Sequence, residues 1–330
     1  MSKVIDAFLF FQELDLLEVR LAYLDVYVDT FVIVEACQTF SGRAKPFVLE
    51  KNFDRYAKYH EKIRYYKLCD WHDGYESVER YLTEACSGTR RKVLDILREH
   101  KHYSKSALNW VLDSYHRESI HIPLAEVAST GDIVMVSDLD EFPSERIFHD
   151  GTLKSLGAKP RVCRQHEFRY FLNLYKDSDW CGSIIARYEN IKDVSLNVLR
   201  MDSKNTRKIV EKDEIQNGGW HFTSCGNMES IRNKIQSWGH QEFNNERILK
   251  RLEYHVRTGQ DIFEREQGTI LTKLSIESTR LFDDNLKAII QRFPELILKD
   301  EVLHVEHNVL HRWIQKGTKL VEKLRRIFSI

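Results

Sequence analysis

Residues 132–143 read DIVMVSDLDEFP, a strongly apolar run that passes directly into a cluster of carboxylates. The run 132–137 is predicted to be a strand buried on both faces, and residues 137–141 form what we call the acidic turn. Asp138 and Asp140 are two residues apart in an extended segment, so their side chains would project to the same side. The stretch therefore predicts a pair of carboxylates at the end of a sheet strand.

The chain before this strand alternates between predicted strands and helices. Predicted strands cover 4–11, 30–36 and 63–68, and predicted helices cover 13–24 and 106–120. This alternation favours a mainly parallel sheet with right-handed crossovers, so the predicted fold class is α/β. Ligands of such sheets bind beyond the carboxyl ends of the strands. Glu13, Glu35 and the acidic turn all follow or close predicted strands there.

The rest of the chain is less regular. A charged helical excursion is predicted over 72–104, broken at Gly88. A strand is predicted at 161–173, a turn entering a short strand at 218–222, and helices at 228–238 and 242–256. We expect one large domain over 1–260 and a C-terminal helical extension over 261–330 packed on it.

Composition excludes some functions and leaves others open. Lys+Arg and Asp+Glu both number 50, so the formal net charge is zero, which argues against a nucleic-acid partner. The six cysteines form no CxxC pair, which favours free thiols in a reducing compartment. The first residues hold no long apolar core, so we expect a cytoplasmic, non-secreted protein.

The signal for membrane association in this sequence is the pattern of its C-terminal residues. No window reaches the roughly 18 uninterrupted apolar residues of a membrane span. Residues 316–330 read KGTKLVEKLRRIFSI, a basic amphipathic pattern. This segment could lie on an anionic membrane as a peripheral contact, or it could be a terminal helix packed on the domain.

The acidic turn suggests metal chemistry. A divalent ion such as Mn²⁺ or Mg²⁺ held by Asp138 and Asp140 could bridge two phosphates and neutralise a departing diphosphate. His221 could supply a third ligand from a distant turn, or it could be a structural histidine beside Trp220. The same arrangement would also suit a metal-dependent phosphohydrolase, so the turn does not settle the reaction.

Four segments together carry a resemblance to a known family. They read DAFLFFQELDLLEVR (6–20), FVIVEACQTFSGRAK (31–45), DIVMVSDLDEFP (132–143) and GGWHFTSCGNMESIRNKIQSWGHQEFN (218–244). In this order they resemble glycosyltransferase family 17, which contains the β-1,4-mannosyl-glycoprotein 4-β-N-acetylglucosaminyltransferases. The resemblance implies a GT-A fold with a Rossmann-type nucleotide-sugar-binding domain over 1–260. It also implies a UDP-GlcNAc donor, a divalent metal and inversion at the anomeric carbon.

The resemblance assigns roles to individual residues. Asp138, Asp140 and His221 resemble the metal and diphosphate site, with Ser137 beside them. The remaining candidates for donor binding are Glu13 and Glu35 at the uridine, Thr39, Gly42 and Lys45 at the phosphates, and Arg117. From its residue type alone Trp220, like Trp180 and Trp238, could stack on a sugar face or pack in the core. Arg117 lies in the triplet His116-Arg117-Glu118, where the family pattern has Gln-Arg-Asn.

The general base is not fixed by sequence. An inverting transfer needs one carboxylate to accept the proton of the acceptor hydroxyl. Glu242 is the first candidate, Asp179 the second and Glu167 the third. The donor could also be UDP-glucose, UDP-galactose or GDP-mannose, and the chain could be a non-catalytic carbohydrate-binding scaffold. The expected partners are a nucleotide sugar and a glycan or glycoconjugate acceptor.

Overall fold

The computed structural model describes residues 2–85, 88–200, 213–265 and 271–299, and it contains one large sheet flanked by helices. The strands are β1 (Val4–Leu9), β2 (Thr30–Ala36), β3 (Ile63–Leu68), β4 (Ile133–Asp138), β5 (Glu141–Pro143), β6 (Arg161–Arg169), β7 (Leu174–Arg187), β8 (Asp213–Thr223) and β9 (Thr272–Lys273). The α-helices are α1 (Leu14–Leu24), α2 (Val48–Lys51), α3 (Tyr75–Glu84), α4 (Gly88–Glu99), α5 (Leu108–Glu118), α6 (His121–Val127), α7 (Arg146–His149), α8 (Leu196–Arg200), α9 (Met228–Ser237), α10 (Glu246–Arg257) and α11 (Asp284–Ile290). Short 3₁₀ helices cover Phe53–Tyr59, Tyr188–Asn190, Gln241–Phe243 and Pro294–Leu296.

The sheet has the strand order β3-β2-β1-β4-β7-β6-β8-β5, with β9 added to β7. Strands β1 to β4 pair in parallel, as does β6 with β8. The pairs β4–β7, β6–β7, β5–β8 and β7–β9 are antiparallel. The predicted α/β class with a large central sheet is therefore confirmed, and the antiparallel part was not predicted.

Apolar side chains cover both faces of the sheet. On one face Phe8 of β1 and Met135 of β4 pack in the same cluster as residues of α1 and α11. On the other face Ala7 and Val136 pack with residues of α3, α4, α5, α6 and α8. Because both faces are covered, these strands are apolar at nearly every position instead of alternating.

Three sequence predictions differ from the structure in detail. The excursion 72–104 contains two helices, α3 and α4, and Gly88 begins the second instead of only interrupting one. Residues 218–222, predicted as a turn entering a short strand, lie inside the longer strand β8, so the strand is confirmed and the turn is wrong. The longest strand, β7, was missed because the polar residues 176–179 interrupt its apolar pattern.

The described part of the C-terminal extension joins the same body. Strand β9 pairs with β7, and Leu286 and Ile290 of α11 are buried in the cluster that contains α1. The amphipathic segment 316–330 lies outside the described residues. None of the described helices has both the length and the apolar character to cross a membrane. All five described cysteines are free thiols.

Candidate functional site

The acidic turn lies at the switch point of the parallel sheet. Strand β1 has β2 on one side and β4 on the other. The chain adds β2 and β3 on one side of β1 and then returns to add β4 on the other side, which makes β1 the switch point. Crevices outside the carboxyl ends of strands at such a point are where ligands of open α/β sheets bind. The segment after β1, which contains Glu13, and the acidic turn after β4 share this edge.

A buried arginine fixes the main chain of the acidic turn. The guanidinium group of Arg20, on α1, donates to the carbonyl oxygens of Asp138, Leu139 and Glu141 at 3.1, 3.0 and 2.7 Å. It also donates to both carboxylate oxygens of Asp6, and its side chain is fully buried. The planar fork of arginine suits this many acceptors. Arg20 therefore binds the main chain of the turn, whereas the side chains of Asp138 and Asp140 line the cavity.

Pairing between β5 and β8 brings a distant histidine to the turn. Glu141 pairs with His221, and the amide of Phe222 donates to the carbonyl oxygen of Asp140 at 2.7 Å. Gly219 has a φ of +139°, and a Cβ there would lie 1.9 Å from the carbonyl oxygen of Phe142. This close approach of two backbones explains the glycine before Trp220-His221.

A cavity of about 660 Å³ opens at this edge of the sheet. Its volume falls within the range of small-molecule sites. Apolar and aromatic residues after β1 and β2 form one part, and carboxylates and cations form the centre. The charged residues lining it are Glu13, Lys45, Asp113, Arg117, Asp138, Asp140, Arg200 and Lys234. Its aromatic walls include Phe10, Phe40, Trp110, Trp180, Trp238 and the rings of His116, His221 and His240.

Two arginines hold the first carboxylate of the turn. Asp138 accepts from Arg117 at 2.7 Å and from Arg200 at 2.5 Å. Burial alone would raise the pKa of Asp138, but the two guanidinium groups hold it well below its usual range. Arg200 also binds both oxygens of Glu141, which is fully buried. Asp138 therefore faces the cavity as a carboxylate at neutral pH.

The second carboxylate lies between a lysine and the histidine. Asp140 accepts from Lys234 at 2.8 Å, and its other oxygen lies 3.7 Å from Nε2 of His221. Burial would raise the pKa of Asp140, but Lys234 and His221 lower it. Trp180 stacks on His221 at 4.1 Å and donates to Glu141 at 3.0 Å.

The structure brings the three predicted metal ligands, Asp138, Asp140 and His221, to one part of the cavity wall. Nδ1 of His221 is buried without a hydrogen-bond partner, and no described hydrogen bond joins Nε2 to Asp140. Among the described residues, the connected ion pairs join five carboxylates (Glu13, Asp113, Asp138, Asp140, Glu141) to three cations (Arg117, Arg200, Lys234), an excess of two formal negative charges. Within the described ranges no group of three or more His, Cys, Asp or Glu side chains is arranged to hold a metal by itself. Substrate phosphates would therefore have to complete the coordination.

Of the substrate-binding candidates outside the turn, four line the cavity: Glu13, Thr39, Lys45 and Arg117. Glu35 does not line it. Its carboxylate is fully buried and accepts from Lys45, from the amides of Val48 and Leu49 and from the hydroxyl of Tyr65. Glu35 thus anchors the loop that leads into α2 rather than meeting a ligand.

Gly42, Ser137 and Trp220 also lie off the cavity wall. Gly42 has a φ of +85°, and its missing side chain makes room for Leu108. Ser137 is buried and accepts from Arg20. Trp220 packs edge to face on Tyr23 and donates to the carbonyl oxygen of Leu281, on the opposite face of the sheet from the cavity. Alternation along β8 accounts for this, since neighbours in a strand point to opposite faces.

The predicted bases Glu242, Asp179 and Glu167 are not among the residues that line the cavity. Glu242 is 56% exposed and paired with His240, and Asp179 is 62% exposed and paired with Arg164. Glu167 is buried with Arg169. By contrast Asp113, on α5, lines the cavity and has one described partner, Arg117 at 3.3 Å. Burial raises the pKa of the Asp113 carboxyl, with Arg117 acting against it.

Sequence reasoning missed Asp113, Arg200 and Lys234. The only available signal was the spacing of Asp113 and Arg117, which are four residues apart and so share a helix face. Arg200 and Lys234 follow the acidic turn by about 60 and 95 residues, a separation that only the folded chain closes.

These features define an α/β protein with a cavity of mixed apolar and charged lining at the switch point of its sheet. Residues 1–108 match the model of glycosyltransferase family 17, the family that the four segments resemble. The match supports a glycosyltransferase with a nucleotide-sugar donor and an acceptor as partners. It covers about a third of the chain and ends before the acidic turn. No match was found among curated proteins.

Proposed function

We propose that this chain is a metal-dependent inverting glycosyltransferase of the GT-A type. In this proposal it moves N-acetylglucosamine from UDP-GlcNAc to a hydroxyl group of a glycan acceptor. The observation that carries the proposal is the cavity at the switch point, where Asp138, Asp140 and His221 converge beside cations. The family match over residues 1–108 supports the reaction class.

The cavity offers distinct regions for the parts of such a donor. Phe10, Val34 and Ala36 provide an apolar region at the ends of β1 and β2 that suits a nucleoside. Asp138, Asp140 and His221 would hold Mn²⁺ or Mg²⁺, which when bound would neutralise the diphosphate. Trp180 stacks on His221 and offers a flat surface to a sugar ring.

Asp113 is our proposed general base. It lines the cavity one helical turn from Arg117, and its raised pKa suits a carboxylate that must accept a proton. The acceptor oxygen would give its proton to Asp113 and form a bond to the anomeric carbon. The bond from that carbon to the diphosphate would break, and the nucleoside diphosphate would leave with the electron pair.

Isothermal titration tests the donor assignment. We expect UDP-GlcNAc to bind the purified protein with Mn²⁺ present, and to bind far more weakly without the metal or to Asp140→Ala. Binding of UDP-glucose, UDP-galactose or GDP-mannose instead would keep the reaction class and replace the donor. If no nucleotide sugar bound under any metal condition, a carbohydrate-binding scaffold or a phosphohydrolase would take its place. The cytoplasmic location stays a prediction.

A further inference from the structure

Lys234 differs from the other cations of the cavity in how few of its donors are used. An ammonium group carries three N–H donors. That of Lys234 makes one described hydrogen bond, to Asp140 at 2.8 Å, and lies 3.6 Å from Glu13. Its side chain is 23% exposed at the cavity wall. Among the described residues, the ammonium group thus has one hydrogen bond and one longer ion pair, and it has donor capacity left for a ligand.

The other cations are already engaged. Lys45 donates to Glu35 and to the carbonyl oxygens of Ala36 and Pro46, which uses all three of its donors. Arg117 joins Asp113 to Asp138, and Arg200 joins Asp138 to the buried Glu141. Moving Arg117 would leave Asp113 without its one described partner, and moving Arg200 would take a cation from both Asp138 and the buried Glu141, so either movement is costly. Lys234 can bind a ligand without such a loss.

Lys234 also has a fixed place along the cavity. Helix α9, which carries it, is joined to the segment after β1, because Gln12 donates to the carbonyl oxygen of Ser230 at 2.9 Å and accepts from Asn233. Its ammonium group lies 3.6 Å from Glu13, in the segment after β1, and 2.8 Å from Asp140. The other carboxylate oxygen of Asp140 lies 3.7 Å from Nε2 of His221, on β8, so Lys234 and His221 meet the same carboxylate.

We propose that Lys234 binds the terminal phosphate of the nucleoside diphosphate, both in the donor and in the leaving group. The proposal rests on the proposed function, because it takes the nucleoside to lie at the ends of β1 and β2. The terminal phosphate would then lie near Asp140, where the ammonium group of Lys234 is at the cavity wall. An ammonium group fixed there stabilises charge that develops as the diphosphate departs.

The test compares a nucleoside diphosphate with its monophosphate. We would titrate wild type and Lys234→Met with UDP and UMP in the presence of Mn²⁺, or with GDP and GMP if wild type prefers guanosine. We expect the diphosphate to bind Lys234→Met about 10- to 100-fold more weakly, the loss of a charge-assisted hydrogen bond. The monophosphate should change by less than about 3-fold. Lys250→Met is the matched control, because Lys250 is an exposed lysine that pairs with the exposed Glu246.

Further variants separate charge from folding. Lys234→Arg should keep most of the preference for the diphosphate, and Lys234→Gln replaces the methionine variant if that variant fails to fold. An unchanged preference in the neutral variants, or an equal loss for both nucleotides, would overturn the role of Lys234. If wild type bound neither nucleotide, the proposed function itself would fail, which is a distinct result.

Discussion

The guanidinium group of Arg20 binds both carboxylate oxygens of Asp6, at 2.8 and 2.7 Å, in a pair that is fully buried. The ring of Phe8 lies 4.5 Å from the guanidinium carbon. Nη1 of the same guanidinium group donates to three backbone carbonyl oxygens of the acidic turn. Arg20, on α1, therefore joins β1 to the turn after β4.

We expect Arg20→Ala to lower the free energy of unfolding by about 3–5 kcal/mol, because Asp6 would be left buried without a partner. Urea unfolding measures this change. Arg55→Ala is the control, since Arg55 makes partly exposed pairs with Asp15 and Glu18 and should cost at most about 1 kcal/mol. Equal losses in the two variants would contradict the role given to Arg20.

Helix α8 depends on Glu118. This buried carboxylate accepts from the amides of Leu196 and Asn197 at 2.9 and 3.0 Å and from the hydroxyl of Ser195. It thereby satisfies amides at the start of the helix that ends at Arg200. Glu118→Gln places an amide donor among these donors, so we expect a loss of about 1–3 kcal/mol in urea unfolding and weaker nucleotide binding.

Glu126→Gln is the control for this change, because Glu126 makes an exposed pair with Arg64. It should leave both the free energy of unfolding and nucleotide binding close to those of wild type. Unaltered nucleotide binding in Glu118→Gln would show that Arg200 keeps its place without this support.

Asp113→Asn should reduce turnover by about 10²- to 10⁴-fold, the range for loss of a general base, with a smaller effect on the KM of the donor. Hydrolysis of UDP-GlcNAc, in which water replaces the acceptor, provides the assay through release of UDP. A general base acts only in its deprotonated form, so activity is lost as the pH is lowered through its pKa. Because burial raises the pKa of Asp113, this loss in wild type should begin at a higher pH than it would for an ordinary aspartate.

The two carboxylates that the sequence suggested first as the general base, Glu242 and Asp179, provide the controls for Asp113. Asp179→Asn and Glu242→Gln change carboxylates that lie off the cavity and should keep turnover near that of wild type. A loss of activity in one of these variants, with Asp113→Asn active, would return the base to the residue that the sequence suggested.

Stability should depend on pH through His116. Burial lowers the pKa of His116 to about 3, from an ordinary value of about 6.5. Between these values the unfolded chain binds the proton more readily, so stability is full above about pH 6.5 and falls as the pH drops toward 3. Linkage gives a loss of about 2 kcal/mol at about pH 5 from this residue.

Urea unfolding of wild type and His116→Gln at pH 7 and pH 5 measures this dependence. The variant should lose less stability between the two values than wild type. A residual slope is expected, because burial lowers the pKa of His100 to about 4. Equal slopes in the two proteins would show that His116 does not contribute.

Much of the parallel half of the sheet could be predicted from the sequence. The predicted strands at 30–36 and 63–68 agree in their bounds with β2 and β3, and the strand before the acidic turn agrees with β4 to within one residue. Each is a short apolar run with clear ends, which is a local signal. Strand β7 has no such signal, because its central residues are polar. Its antiparallel pairing with β4 joins segments that are far apart in the sequence, so local patterns do not indicate it.

The sequence by itself determined the acidic turn and its place at the end of a buried strand, because both follow from the alternation and apolarity of neighbouring residues. Only the tertiary structure decided which side chains face the cavity. Trp220 and His221 are adjacent in the chain, yet the pleat of β8 sends one to the core and the other to Asp140. Lys234 and Arg200 reach the same carboxylates from separate helices, since ion pairs form between groups that packing brings together, whatever their distance along the chain.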